Sequence, residues 1–126
     1  THVQIGVQTL EQGVLDLTKR DDSVANIARA TALLRDFGYK LTYHLMPGLP
    51  GATPKSDLAT FKRVFSEPGF QPDMLKIYPC VVVKSALLYQ WYKQGNYKPY
   101  KGKTLVNLLV NIKKLIYYYI YPQYFD

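Results

Sequence analysis

Leu41-Thr42-Tyr43-His44-Leu45-Met46 runs straight into Pro47-Gly48-Leu49-Pro50-Gly51, and Ala52-Thr53-Pro54 comes next. The first six residues form an apolar run of strand length. The next five forbid regular structure: the prolines lack an N–H, and the glycines reach backbone angles other residues avoid. Thr53-Pro54 then predicts a helix with Pro at its first position. Leu58, Phe61, Val64 and Phe65 line one face of that helix. Strand, tight loop and helix at this spacing make a βα unit, and the same alternation continues on both sides.

Upstream, Val3, Ile5 and Val7 alternate with polar residues and predict a short strand ending at Gln8. Asp22 and Ser23 are N-cap candidates for a helix with Val24, Ile27, Ala28, Leu34 and Phe37 on one face, stopped by Gly38. Downstream, Pro68-Gly69 and Pro72-Asp73 close the connection, and Met74 to Tyr78 predicts a third strand stopped by Pro79. Helices alternating with strands imply an α/β fold with a parallel sheet.

The rest of the chain departs from this alternation. Cys80 to Val83 is β-branched and either prolongs the strand or turns away. Ser85 opens a helix through Leu87, Leu88 and Trp91, ended by Gly95. Asn96 to Lys103 reads as a basic, Tyr-rich loop. Thr104 caps a long helix striped by Leu105, Leu108, Leu109, Ile112, Leu115 and Ile116, and Tyr117 to Tyr121 reads as a last strand. Two units are expected: 1–84, the βαβαβ segment, and 85–126, a basic helical extension.

The chain has 126 residues, 48% of them apolar, enough for a core in one domain. Its single cysteine, Cys80, excludes an internal disulfide and any metal site built from several thiolates of this chain. No apolar run reaches the ~18 residues of a membrane span, and the start carries no signal-peptide pattern. A soluble, cytoplasmic setting is expected. The chain opens on Thr1 within a few residues of strand-like sequence and stops soon after the aromatic stretch Ile116–Tyr121, so a piece of a longer protein is expected.

Sixteen Lys and Arg against nine Asp and Glu give a net charge of +7. All of that excess lies from Met74 onward, where eight Lys face one acid, Asp126. The same stretch holds ten of the twelve Tyr, Tyr124 included. Lys interleaved with Tyr suits a phosphate backbone and stacked bases. A solvated basic face with Tyr packed beneath it is the plainer reading.

In parallel α/β folds, ligands gather at the carboxyl ends of strands. That rule selects Gln8 and Thr9, then His44 and Met46, then Lys76, Tyr78 and Pro79. Alternation puts Lys76 and Tyr78 on one face. An amide, an imidazole, an ammonium and a phenol at one mouth can bond a ribose or carboxylate and hold a phosphate. They supply no nucleophile–base pair. Arg20 lies in the polar loop Thr18–Asp22, where a solvated charge cluster is the ordinary reading. There is no Walker loop, G-x-G-x-x-G, G-x-S-x-G or H-E-x-x-H, and His2 and His44 are the only histidines.

Gly6-Val7-Gln8-Thr9, Arg20, His44 through Gly51, and Pro72-Asp73-Met74-Leu75-Lys76-Ile77-Tyr78-Pro79 together resemble the radical S-adenosylmethionine domain of the Elongator catalytic-subunit family. Leu88-Tyr89 through Tyr100 resembles that family's Tyr-rich segment as well. The resemblance implies tRNA wobble-uridine acetyltransferases built on a partial (β/α) barrel, of which this chain is the second half with extra C-terminal helices. It implies a [4Fe–4S] cluster on an upstream three-cysteine motif, S-adenosylmethionine, and acetyl-coenzyme A on a separate acetyltransferase domain. Neither that motif nor that domain is in this sequence. Gln8, Arg20 and His44 are the positions that would hold the nucleoside cofactor.

By the same resemblance, Lys76 and Tyr78 would line the pocket, and Lys84, Lys93, Lys98, Lys101 and Lys103 would meet tRNA. The implied partners are tRNA, the missing half-barrel and acetyltransferase domain, and Elongator subunits. The piece alone is expected to be inactive and to self-associate through open strand edges. A non-catalytic RNA-binding or scaffold piece is the alternative. Another radical enzyme, of the porphyrin-pathway or methylthiotransferase kind, is a third reading.

Overall fold

A computed structural model of the chain describes residues 1–121, which leaves Tyr124 and Asp126 outside the described residues. The elements run β1 (His2–Gln8), α1 (Gln12–Leu17), α2 (Val24–Asp36), β2 (Lys40–Leu45), α3 (Pro54–Ser66), β3 (Met74–Ile77), α4 (Leu87–Lys93) and α5 (Gly102–Ile120). The strands form one parallel sheet in the order β1-β2-β3. Parallel neighbours need crossovers, and α2 and α3 supply them. Ser23 caps α2 by accepting from the Asn26 N–H at 3.1 Å. Thr53 and Ser56 form a reciprocal capping box ahead of Pro54.

The two sheet faces differ in chemistry. Val7, Tyr43 and Leu45 turn to the helices and share a core with Ile27, Phe61, Val64, Leu108 and Ile112. Each such side chain stabilises by roughly 1.5–3 kcal/mol when fully buried. The Tyr43 hydroxyl bonds Thr31 of α2, so this buried phenol has its partner. The other face carries Gln4, His44 and Lys76, with Gln4 bonded to each of the other two. Asp73 ties the start of β3 to β2, accepting from the Leu41 N–H at 2.8 Å and from Lys40 Nζ at 3.2 Å.

Several expectations are corrected. Tyr117 to Tyr121 is not a strand: α5 runs through Ile120, and Tyr119 stacks on Phe65 of α3 at 5.7 Å. A tertiary contact overrides the β preference of an aromatic run. Thr104 does not cap α5, which starts at Gly102 with Lys101 at the N-cap. The helix expected from Ser85 starts at Leu87. Phe37 is 74% exposed, because α2 has ended and residue 37 is its C-cap. β3 stops at Ile77, one residue short of Tyr78, and Cys80 to Val83 is not strand, although the Tyr78 and Cys80 N–H groups still donate to the Leu45 and Pro47 carbonyls. The six-residue α1 is not announced by the sequence pattern. Among the described residues no helix is long and apolar enough to cross a membrane.

Candidate ligand site on the polar sheet face

β1 bends near its carboxyl end. Its pairing with β2 shifts between Ile5 and Gln8, and Gln8 has a φ of 67°. The bend coincides with Gly6, whose carbonyl accepts from Arg20 Nη2. A Cβ on Gly6 would lie 3.0 Å from that nitrogen and 3.7 Å from Gln8 Nε2. Glycine therefore leaves room for the guanidinium and the Gln8 amide, which both approach it. The short helix α1 brings Arg20 there, since its C-terminal turn closes with the Arg20 N–H bonded to the Leu15 carbonyl at 3.0 Å.

Along the same face, Gln4 Oε1 accepts from His44 Nε2 at 2.7 Å and from Lys76 Nζ at 3.1 Å. An ammonium only donates, so the shared atom is an acceptor and His44 carries a proton on Nε2. Its Nδ1 is then the acceptor of the neutral ring. The Tyr78 ring lies 5.9 Å from the His44 ring, tilted by 59°. Tyr78 is 52% exposed and is a surface group, not part of the core. Deeper toward the amino ends, His2 Nε2 and Thr42 Oγ1 are 2.6 Å apart. The face thus gathers Gln8 and Arg20 at Gly6, and His44, Lys76 and Tyr78 around Gln4.

The loop after β2 is held from behind. Asp57, 3% exposed on the first turn of α3, accepts from the Gly48 N–H and the Tyr100 hydroxyl, each at 2.8 Å. Tyr97 donates its hydroxyl to the Gly48 carbonyl at 2.7 Å. Burial raises the Asp57 carboxyl above its ordinary pKa, while the two hydrogen bonds oppose that rise. Burial and the neighbouring carboxylate likewise push the Tyr100 phenol up, keeping it a donor. Gly48 has a φ of 86°, and a Cβ there would meet the Tyr100 ring at 3.3 Å. The Tyr-rich segment is therefore a clasp on the Pro-Gly loop.

The five lysines expected to face RNA are all exposed, and they divide. Lys84 and Lys101 border a cavity of about 410 Å³ beside Tyr89, Tyr92 and Tyr100. Lys93 stands 5.9 Å over the Tyr89 ring, and Lys101 stands 5.9 Å over the Tyr92 ring. Lys98 borders a second hollow with Tyr92 and Lys101. Lys103, on the first turn of α5, borders neither. Sequence reasoning missed Gln4, Gly6 as a cradle, and Asp57. Gln4 lies mid-strand, where the strand-end rule does not look. Asp57 reads as an acid that merely complements a helix dipole.

The donor set suits S-adenosylmethionine. A guanidinium can clamp a carboxylate, and an amide and an imidazole acceptor can bond ribose hydroxyls. It does not suit a [4Fe–4S] cluster. Cys80 is the only cysteine, and no group of three or more His, Cys, Asp or Glu among the described residues could hold a metal.

Residues 72–121 match the family described as the Radical_SAM C-terminal domain. The chain is 46% identical over 120 residues to the tRNA uridine(34) acetyltransferase of Dehalococcoides mccartyi, covering 95% of this chain and 26% of that protein. It is 39% identical over 116 residues to Elongator complex protein 3 of Saccharomyces cerevisiae, covering 92% and 21%. The fold matches the solved structure of archaeal Methanocaldococcus infernus Elp3 with an N-terminal deletion. The TM-score is 0.85 and the identity 43%, over 90% of this chain and 26% of that one. Over the segment it spans, the chain is similar to tRNA uridine(34) acetyltransferases and to Elongator complex protein 3. It spans about a quarter of the length of the curated relatives it matches. For this family segment, the match from residue 72 takes in β3, the clasp and α5. The parallel sheet with Gln8 and Arg20 lies largely before it.

Proposed function

We propose that the chain is the second half of a radical S-adenosylmethionine domain from a tRNA wobble-uridine acetyltransferase. In this reading the three strands belong to a partial (β/α) barrel whose interior is lined by the Gln4–His44–Lys76 face. Residues 1–84 carry the cofactor-facing strand ends, and 85–126 form the basic extension that meets RNA. Arg20 clamps the cofactor carboxylate, while Gln8 and His44 Nδ1 bond its hydroxyls. Lys76 and Tyr78 line the pocket beyond them. Lys84, Lys93, Lys98, Lys101 and Lys103 neutralise the RNA backbone. The bound cofactor supplies radical chemistry once a reduced cluster is present, and acetyl-coenzyme A belongs to a further domain. The chain's own residues bind and orient. The implied setting is cytoplasmic, with tRNA and other Elongator subunits as partners.

The observation supporting this is the approach of both Arg20 and Gln8 to Gly6, on the strand whose Gln4 bonds His44. Titrating S-adenosylhomocysteine into the chain by calorimetry tests it. Arg20→Ala and Gln8→Ala should each weaken binding roughly tenfold, as loss of a charge-assisted or buried hydrogen bond would. Wild-type affinity in both variants, or no heat from the wild-type chain, overturns the assignment. Given S-adenosylmethionine and a reductant, the chain should release no 5′-deoxyadenosine, and a measured yield would contradict the reading.

A further inference from the structure

The cavity beside the clasp has a chemistry of its own, distinct from the polar sheet face. It opens between the loop after β2, the loop after β3, α4 and the start of α5, at the carboxyl end of the sheet where α/β folds bind ligands. Its volume of about 410 Å³ is in the lower part of the ~300–1,000 Å³ range of small-ligand sites. That is room for one nucleotide and too little for a duplex. Tyr89 and Tyr92 form an aromatic pair on one wall, 6.4 Å between centroids. Tyr100 is fixed in another wall by its bond to Asp57. Lys84 and Lys101 border the opening, and no carboxylate lines it. The Asp57 carboxylate lies behind Tyr100 and is already satisfied by two donors.

We propose that this cavity binds a single unpaired nucleotide, its base stacked on the Tyr89–Tyr92 wall and its phosphate met by Lys84 and Lys101. The aromatic wall is the deciding feature. A cationic rim alone would attract any anion, whereas faces of tyrosine with ammonium groups over them suit a flat heterocycle carrying negative charge. Lys93 stands over the Tyr89 ring, and Lys101, which itself lines the cavity, stands over the Tyr92 ring. A base entering the cavity stacks while its phosphate draws Lys101 toward it. Recognition by stacking tolerates any base, so the cavity grips an unpaired position without reading its identity. This inference rests on the RNA reading above and adds where a base, as distinct from the backbone, is held.

The test uses the purified chain and a fluorescent, mixed-sequence single-stranded RNA hexamer. Affinity is measured at several salt concentrations. Ultraviolet crosslinking of the wild-type complex is mapped by mass spectrometry. Crosslinks should fall on Tyr89 or Tyr92. Tyr92→Leu should weaken binding roughly tenfold at every salt concentration with an unchanged salt slope, the signature of lost stacking. Lys84→Gln, an exposed position whose replacement should spare the fold, should flatten the slope by about one phosphate contact. Uridine and adenosine monophosphates should compete comparably, and a duplex of the same length should not. Wild-type affinity in Tyr92→Leu, with crosslinks mapping away from α4, overturns the cavity and leaves the RNA reading standing. No RNA binding at any salt concentration overturns both.

Discussion

At Gln4, one amide oxygen serves two donors, and that decides which nitrogen of His44 carries the proton. Replacing it tests the arrangement without touching the core, because Gln4 is exposed. In Gln4→Leu the ¹⁵N spectrum of the His44 ring should change from the Nε2–H pattern to a mixture of tautomers. Stability should move by less than about 0.5 kcal/mol. An unchanged spectrum would mean that Gln4 does not set the tautomer. Asp57 is the opposite kind of residue, buried and doubly bonded. Asp57→Ala strands the Gly48 N–H and the Tyr100 hydroxyl, at roughly 1–3 kcal/mol for each unsatisfied group. Its pH signature has a definite sign. A carboxyl whose folded pKa is raised binds more protons folded than unfolded, so its contribution to stability falls as pH rises from its unfolded value, about 3.9, through its folded value. Urea unfolding of Asp57→Asn should lack that decline. A wild-type profile that falls no more steeply than the variant's through this window would refute it.

Between elements, the carboxylate at residue 73 pins β3 against β2, and its pKa is lowered, first by the Leu41 N–H and then by Lys40. The sign is the reverse of Asp57. The contribution is complete above the unfolded value near 3.9 and is lost as pH falls through the lower folded value. The stability gap between wild type and Asp73→Asn should be constant near neutrality and close in acid. A gap unchanged down to pH ~2 would show that the charge is not what pins the strand. The elements joined here were legible because their signals are local. Val3, Ile5 and Val7 alternate, Thr53-Pro54 announces a helix, and Gly38 ends one with a φ of 77°. What was illegible is decided at a distance. The Tyr-rich end of α5 has strand-like composition, yet it packs as helix, with Tyr119 stacked on Phe65, more than fifty residues earlier. At the candidate site, strand ends pointed to Gln8, His44 and Lys76. The Gly6 cradle and the Asp57 acceptor depend on a bend and a loop that no periodicity encodes.

For the whole molecule, one layer of helices covers one side of a three-stranded sheet, and the side bearing Gln4, His44 and Lys76 has no helix over it among the described residues. β1 and β3 are both edges of the described sheet. β3 is only four residues long, and Met74, Tyr78, Val81 and Val83 in and after it are exposed apolar groups. Unpaired strand edges beside exposed apolar side chains template pairing with another chain. The net charge of +7 opposes that association through long-range repulsion, which salt screens beyond about 10 Å at 0.1 M. Edge pairing is short-ranged and survives screening. Sedimentation of the chain should therefore show association that grows with protein concentration and strengthens as salt is added. Met74→Lys places a charge on the β3 edge and should weaken that association with little loss of stability, since Met74 is 49% exposed. A monomer at every salt and protein concentration would mean that neither edge is available. Association equally strong in Met74→Lys would assign it to β1 or to the exposed face of α5, where Val106 and Val110 stand out.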